Sequence, residues 1–213
     1  MFIEQSNRLI RLLWRATWRK DAHSRTVYLT FDDGPSPEVT PKTLQILDRY
    51  NVKATFFCVG DNVQKHPEVF ALLRAHGHAV GNHTMHHLKG FSTDFNTYLN
   101  DVAQADRLIQ SRLLRPPYGR ITFKQLRALR VNYEIIMWDV ITRDYNPKLS
   151  PDKIFHIIKR YTRNGSIIVF HDSCKAAHNM LETLPKAIEW LQAQGYGFSV
   201  IPDHHQDIIL KTL

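Results

Sequence analysis

The chain has 213 residues, 43% of them hydrophobic and 23% charged, which suits one sizeable globular domain and is short for two. Its net charge of +8 would favour an anionic partner. The basic residues are dispersed, however, with no run long enough for a nucleic-acid arm, and no nucleic-acid partner is expected. The two cysteines, Cys58 and Cys174, are too few for a disulfide framework, and no apolar run approaches the ~18 residues of a membrane span.

In residues 1–23, Arg8, Arg11, Arg15 and Arg19 step at helical spacing, with Leu9, Ile10, Leu12, Leu13, Trp14 and Trp18 between them. This spacing predicts a basic amphipathic N-terminal segment, set apart from a main domain at 24–213. Such a helix either packs on the domain with its arginines in water, the preferred reading, or makes a peripheral membrane contact. Its longest apolar run, Leu12-Leu13-Trp14, is shorter than the ~7–15 residues of an export signal core. On the sequence alone the chain is therefore read as cytoplasmic or membrane-peripheral, with its location open.

Beyond this segment, short β-rich runs alternate with helical patterns. Strands are expected at Val27–Phe31, Thr55–Val59, Ala79–Gly81, Leu113–Arg115, Tyr133–Trp138, Ser166–Phe170 and Gly197–Ile201. Several are apolar throughout, as parallel strands covered on both faces must be. Helices are expected at Pro41–Tyr50, Asp61–His76, Phe95–Arg112, Thr122–Arg130, Pro151–Arg163 and Met180–Gln194, the second and last stopping at Gly77 and Gly195. No Gly-x-Gly-x-x-Gly follows the first strand. The alternation thus predicts a parallel α/β barrel of seven strands, with an open α/β sheet as the alternative. In a parallel barrel the chemistry collects at the C-terminal ends of the strands, and the candidate functional residues fall there.

Asp32 and Asp33 leave the first strand in Thr-Phe-Asp-Asp-Gly-Pro. One carboxylate can bind a metal while the other faces a reacting water; the plainer alternative is a turn with two solvated acids. His83 and His87, four apart, are expected on one face of a helical turn, with Cβ atoms about 5–6 Å apart, so that one divalent ion takes a nitrogen from each. His86 lies within the same reach and competes with His87. Arg115 precedes Pro116-Pro117-Tyr118-Gly119, a rigid turn that can present one arginine to a carboxylate together with free backbone N–H groups. Asp139 and Asp144 lie beyond the Tyr133–Trp138 strand. His171 ends the apolar run Ile167–Phe170 and is a general acid/base candidate, because a nearby carboxylate can stabilise its protonated form. Cys58 reads as a buried small hydrophobe; Cys174, in the loop after His171, lies near the site without an assigned role.

Five segments in order resemble the polysaccharide deacetylase family, the NodB-homology domain of carbohydrate esterase family four. They are Thr30–Pro35, His83–His87, Arg115–Gly119, Trp138–Tyr145 and Ile168–Asp172, and the resemblance runs from about Thr26 to Ile201. It implies a distorted (β/α)7 barrel with parallel strands. It implies a divalent metal on Asp33, His83 and His87, zinc first, with cobalt, nickel or manganese as alternatives; the family's His-Ser/Thr-x-x-His spacing selects His87 over His86. It further implies Asp32 as general base, oriented by Arg115; the Tyr118 N–H as an oxyanion donor; His171 as general acid, with Asp144 as its partner; and Val169 and Tyr145 in the acetyl pocket or groove. Tyr145 stands where many members carry tryptophan. The activity implied is removal of N-acetyl groups from N-acetylglucosamine units of a peptidoglycan or chitin-like glycan, by a chain expected to be monomeric. Members often work outside the cytoplasm. The closest rival is an amide hydrolase of the same fold acting on a small cyclic amide or ureide. A sugar-binding module without catalysis is disfavoured, because it needs neither base nor acid.

Overall fold

The first apolar run becomes the centre of the sheet. In the computed structural model, which describes residues 14–203, β1 (Thr26–Asp32) pairs in parallel with β2 (Thr55–Cys58) on one side and β7 (Ile167–His171) on the other. Outward from β2 follow β3 (Ala79–Asn82), β4 (Leu113–Leu114) and β5 (Glu134–Ile135); outward from β7 lies β6 (Val140–Ile141). A short β8 (Gly197–Phe198) pairs with the start of β1. Every ladder is parallel, and the central strands are buried along their length, as the lack of polar alternation predicted.

There are eight strands among the described residues, one more than expected. The additional one is β6, two residues long, which pairs Val140 with Ile168 and Ile141 with Val169. Two residues carry no periodicity, so this strand is defined only by its neighbour. The expected strand at Tyr133–Trp138 is confined to Glu134–Ile135, and that at Gly197–Ile201 to its first two residues.

The helices are α1 (Thr40–Arg49), α2 (Gly60–Lys65), α3 (Pro67–Ala75), α4 (Phe95–Ile109), α5 (Phe123–Leu129), α6 (Pro151–Tyr161) and α7 (Ala177–Ala193). The single helix expected at Asp61–His76 is two. Pro67 cannot donate a backbone hydrogen bond and keeps His66 out of the helical region (φ −132°, ψ 56°), so α2 stops and α3 starts at the proline. Helix α4 ends three residues earlier than expected, at a left-handed Gln110. Helix α5 begins in a capping box, with Thr122 accepting from the Gln125 N–H while the Gln125 side chain accepts from the Thr122 N–H.

Alternation along the strands divides the interior into two layers. Leu29, Phe31, Phe56, Ile168 and Phe170 face outward under α1 and α7, where they meet Leu44, Leu47, Met180, Leu184 and Ile188. Phe31 stacks on Phe56 and Phe170 at 4.9 and 5.8 Å. Each such side chain contributes roughly 1.5–3 kcal/mol by leaving water. Tyr28, Phe57, Leu113, Ile136, Ile167 and Ile201 form a separate inner plug. The inner positions nearer the strand ends are polar: Thr30, Asp32, Arg115 and His171. The plug closes the barrel from below and leaves the chemistry at the top.

Residues 14–20, the described part of the expected amphipathic segment, contain no helical turn. Thr17 forms a parallel bridge with Ile136, beside β5, and Arg19 an antiparallel bridge with Ser166, just before β7. Lys20 donates its N–H to Gly165 and its side chain to Glu134 at 2.8 Å. The sheet path ends at β5 and β6, and exposed edges need partners. This stretch pairs beside β5 and crosses to the start of β7. Residues 1–13, which carry Arg8 and Arg11, lie outside the described residues. Among those described, no helix is long and apolar enough to cross a membrane.

Candidate active site

Asp33, His83 and His87 converge at the C-terminal ends of β1 and β3, each offering a ligand atom within 4.8 Å of the others. Asp33 Oδ1 lies 3.2 Å from His87 Nε2 and 3.8 Å from His83 Nε2. Strand alternation would send Asp32 and Asp33 to opposite faces. Instead Asp33 adopts a left-handed backbone (φ 80°), which aspartate tolerates better than most residues, and both carboxylates reach the same end of the barrel.

The two histidines do not share a helical turn. Residues 83–89 form a loop, with Thr84 and His87 left-handed (φ 65° and 55°). Side chains take the place of helical hydrogen bonds: Asn82 Oδ1 accepts from the Thr84 N–H, Asp101 Oδ2 from the Met85 and His86 N–H groups, and Thr84 Oγ1 from the Leu88 N–H. Asp101 also holds the His86 ring, which removes that imidazole from the cluster and leaves His87 as the second nitrogen.

Electrostatics prepare this triad for a cation. His83 is buried, and its Nδ1 lies 2.7 Å from the Arg115 carbonyl, so Nδ1–H donates and Nε2 keeps its lone pair toward Asp33. Burial pushes its pKa down to about 4, against the opposing pull of Asp32, so the ring is neutral near pH 7. For Asp33, burial works to raise the pKa, but the His87 hydrogen bond and the charges of His171, His83 and His87 outweigh it and hold the carboxyl below the usual range. The result is one anionic oxygen and the His83 lone pair converging on one point, with His87 Nε2 beside them.

Asp32 is held from the barrel interior. Arg115 is fully buried and donates from Nη1 to Asp32 Oδ1 (2.6 Å) and Thr30 Oγ1 (2.8 Å), and from Nη2 to the Met137 carbonyl (3.1 Å). Its guanidinium lies 4.1 Å above the Phe57 ring, on top of the apolar plug. Asp32 and His171 are register partners on adjacent strands and so face the same side.

His171 is fixed by Asp144, which is fully buried. Asp144 Oδ1 accepts from His171 Nδ1 at 2.7 Å and Oδ2 accepts from the His171 backbone N–H at 2.8 Å. This leaves Nε2 as the free ring nitrogen. Burial alone would depress the histidine, but the Asp144 charge and hydrogen bond, aided by Asp33 and Asp32, raise it to about 9. Tyr145 packs edge-on against the ring at 4.8 Å. Val169 stands opposite Thr30 on the inner face and is fully buried.

Tyr118 is left-handed (φ 59°), with an exposed ring 4.7 Å from that of His87. The Gly119 and Arg120 N–H groups turn back to the Pro116 and Pro117 carbonyls, whereas the Tyr118 N–H has no acceptor among the described residues. Asp139 is not part of this cluster: it is buried against Arg163 (2.8 and 2.9 Å) and Ser166 (2.7 Å).

The family model for polysaccharide deacetylase matches residues 19–133. This chain belongs to the polysaccharide deacetylase family. It is 35% identical over 189 residues to a peptidoglycan-N-acetylglucosamine deacetylase of Bacillus cereus, covering 84% of this chain and 68% of that one. It is 33% identical over 201 residues to a chitooligosaccharide deacetylase of Bradyrhizobium sp. (strain ANU 289), covering 85% and 91%. The crystal structure of the Bc1960 peptidoglycan N-acetylglucosamine deacetylase superposes with a TM-score of 0.86 at 30% identity, over 92% of this chain and 95% of that one. The curled parallel sheet is thus the expected distorted (β/α)7 barrel.

Beside the residues predicted for this deacetylase-family site, the structure adds Asp172. It is buried, accepts from the Gly34 N–H at 3.1 Å and from Thr40 Oγ1 at 2.6 Å, and so ties the turn after Asp33 to α1. Its place beside His171 was visible in the sequence; its partners, some 130 positions away, were not. Asp101 left no sequence signal among the other acids of α4. Cys174 is exposed, 3.8 Å from Ser36 Oγ and Glu38 Oε2, and Cys58 is buried in β2 with its thiol pKa raised by burial.

Proposed function

We propose that the chain is a metal-dependent hydrolase that removes N-acetyl groups from N-acetylglucosamine units of a polysaccharide or oligosaccharide, peptidoglycan or chitin-like, releasing acetate. What carries this reading is a carboxylate and a carboxylate-paired histidine in register on adjacent strands, Asp32 and His171, beside a three-donor cation site. A binding module needs neither partner of that couple, and a structural metal site would be closed by a fourth protein ligand.

The donor set fits a divalent ion: two imidazole nitrogens, one fixed in its tautomer by a backbone carbonyl, and one ionised carboxylate. Zinc is the ion we assign first, with cobalt, nickel and manganese as alternatives. A bound ion of this kind polarises an amide carbonyl and makes water more acidic. The chain's own residues supply the rest. Asp32 accepts the proton of the attacking water, and Arg115 positions it. The Tyr118 N–H donates to the oxyanion as the carbonyl becomes tetrahedral. His171 delivers its proton from Nε2 to the departing nitrogen, since an amine leaves poorly unprotonated, while Asp144 holds Nδ1 and stabilises the charge. Tyr145 and Val169 are assigned to the acetyl pocket or groove.

The test is acetate release from chitooligosaccharides and peptidoglycan, with metal content measured on the same samples. Asp32→Asn and His171→Ala should each abolish release while the ion stays bound. Wild-type turnover in either variant refutes the roles, and hydrolysis of small cyclic amides without acetate release from glycans would move the assignment to the rival activity.

A further inference from the structure

Next to Tyr145 lies a cleft of about 440 Å³ that the reaction as proposed leaves unused; its lining includes Lys148, Leu149, Lys175, His178 and Asn179. It adjoins the active site. Lys175 Nζ lies 5.8 Å from the centre of the Tyr145 ring, and the other side of that ring's contact is His171. Asn179, a nearly buried lining residue, donates to the carbonyls of Asp144 (3.0 Å) and Asn146 (3.4 Å), the loop that fixes His171. Through Lys175 the cleft is one aromatic ring removed from His171.

Its charge has one sign. No carboxylate lines it. Lys148 and Lys175 are exposed, and neither has an ion-pair partner among the described residues, whereas the acids nearby are engaged: Glu182 with His178 and Asp152 with Lys186, both at 3.2 Å. Two unpaired ammonium groups around a concave, partly apolar site favour an anion, and a carboxylate held between them gains charge-assisted hydrogen bonds.

We propose that this cleft is a subsite for a carboxylate carried by the sugar adjoining the one deacetylated, so that the substrate is an anionic N-acetylated glycan. This rests on the deacetylase reading. The carboxylate could be a lactyl ether or a uronic acid, and the experiment separates the two.

Acetate release and equilibrium binding are measured on the metal-loaded full chain. The substrates are four oligosaccharides of equal length: a neutral N-acetylglucosamine oligomer, one carrying lactyl-ether carboxylates on alternate sugars, the methyl ester of that compound, and one with alternate hexuronates. Wild type should prefer one of the carboxylate forms over the ester by about tenfold in kcat/KM, through KM, and the preference should shrink between 0.05 and 0.5 M salt. The variant combining Lys148→Gln with Lys175→Gln should lose that ratio. An ester used and bound as well as the acid, or an unchanged ratio in the variant, overturns the subsite. If wild type releases acetate from no oligomer, the deacetylase reading fails, and the binding measurement still decides the cleft: acid preferred over ester supports it, equal affinity refutes it.

Discussion

Replacing Asp144 by asparagine isolates the electrostatic part of the His171 assignment. The carboxylate does three things: Oδ1 accepts from His171 Nδ1 and from the Tyr145 N–H, Oδ2 accepts from the His171 N–H, and the charge stabilises the imidazolium. In Asp144→Asn the amide oxygen can keep the Oδ1 bonds, but the amide NH2 then faces the His171 N–H. One buried donor loses its acceptor, at a cost of about 1–3 kcal/mol in stability. The larger effect is on titration. His171 is raised to about 9 because Asp144, Asp33 and Asp32 overcome a burial effect that by itself lowers it. Without the Asp144 charge, burial pulls the value to or below the ordinary histidine pKa of about 6.5. The sign follows directly: a general acid works in its protonated form, so activity falls as pH rises through this pKa. A bound divalent cation lowers it in wild type too, which places the wild-type alkaline limb at or below about pH 9. In the variant the limb moves to about pH 6.5 or lower; limbs at about 9 and about 6.5 correspond to a loss of roughly thirtyfold at pH 8 from protonation alone. The assay is kcat for acetate release from pH 5 to 10, with metal content checked at each end. An alkaline limb at the same pH in both proteins would refute His171 as the titrating acid.

Three further outcomes are expected. Arg115→Met removes the buried partner of Asp32 and should lower stability by about 3–5 kcal/mol in urea denaturation, with acetate release lost; Arg115→Lys should restore only part of it, because one nitrogen cannot occupy the separate positions from which Nε, Nη1 and Nη2 serve Ile136, Asp32 with Thr30, and Met137. His87→Ala should lose the ion on dialysis while His86→Ala retains it, because His86 is held by Asp101; equal loss in both would refute that division of roles. Burial raises the Asp172 carboxyl to about 7, with the Asp33 charge adding to it against the Thr40 hydrogen bond. The folded protein therefore holds a proton between about pH 4 and 7 that the unfolded chain releases, and wild type loses this contribution as pH rises through that window. Asp172→Asn in metal-stripped protein should raise Tm relative to wild type at pH 8 and change it little at pH 4.

The barrel strands were legible because buried parallel strands are written as continuous apolar runs, and the candidate site residues because each sits at or just beyond the end of such a run: Asp32 at the end of β1 and Asp33 after it, His83 after β3, Arg115 after β4, His171 at the end of β7. These are local properties that one chain segment carries by itself. The break at His66-Pro67 was local too, a proline inside an expected helix.

The rest depends on partners distant in sequence. Arg19 belongs to the helical spacing of the arginines, yet it and Thr17 bridge Ser166 and Ile136, more than a hundred residues away. His86 and His87 carry the same ring and stand side by side; Asp101, from a later helix, takes one and leaves the other facing Asp33. Asp139 and Asp144 follow the same strand, and Arg163 engages the first while His171 engages the second. Spacing states which side chains are near one another along the chain, but a charge or a hydrogen bond is settled by what stands opposite, and that follows only from packing.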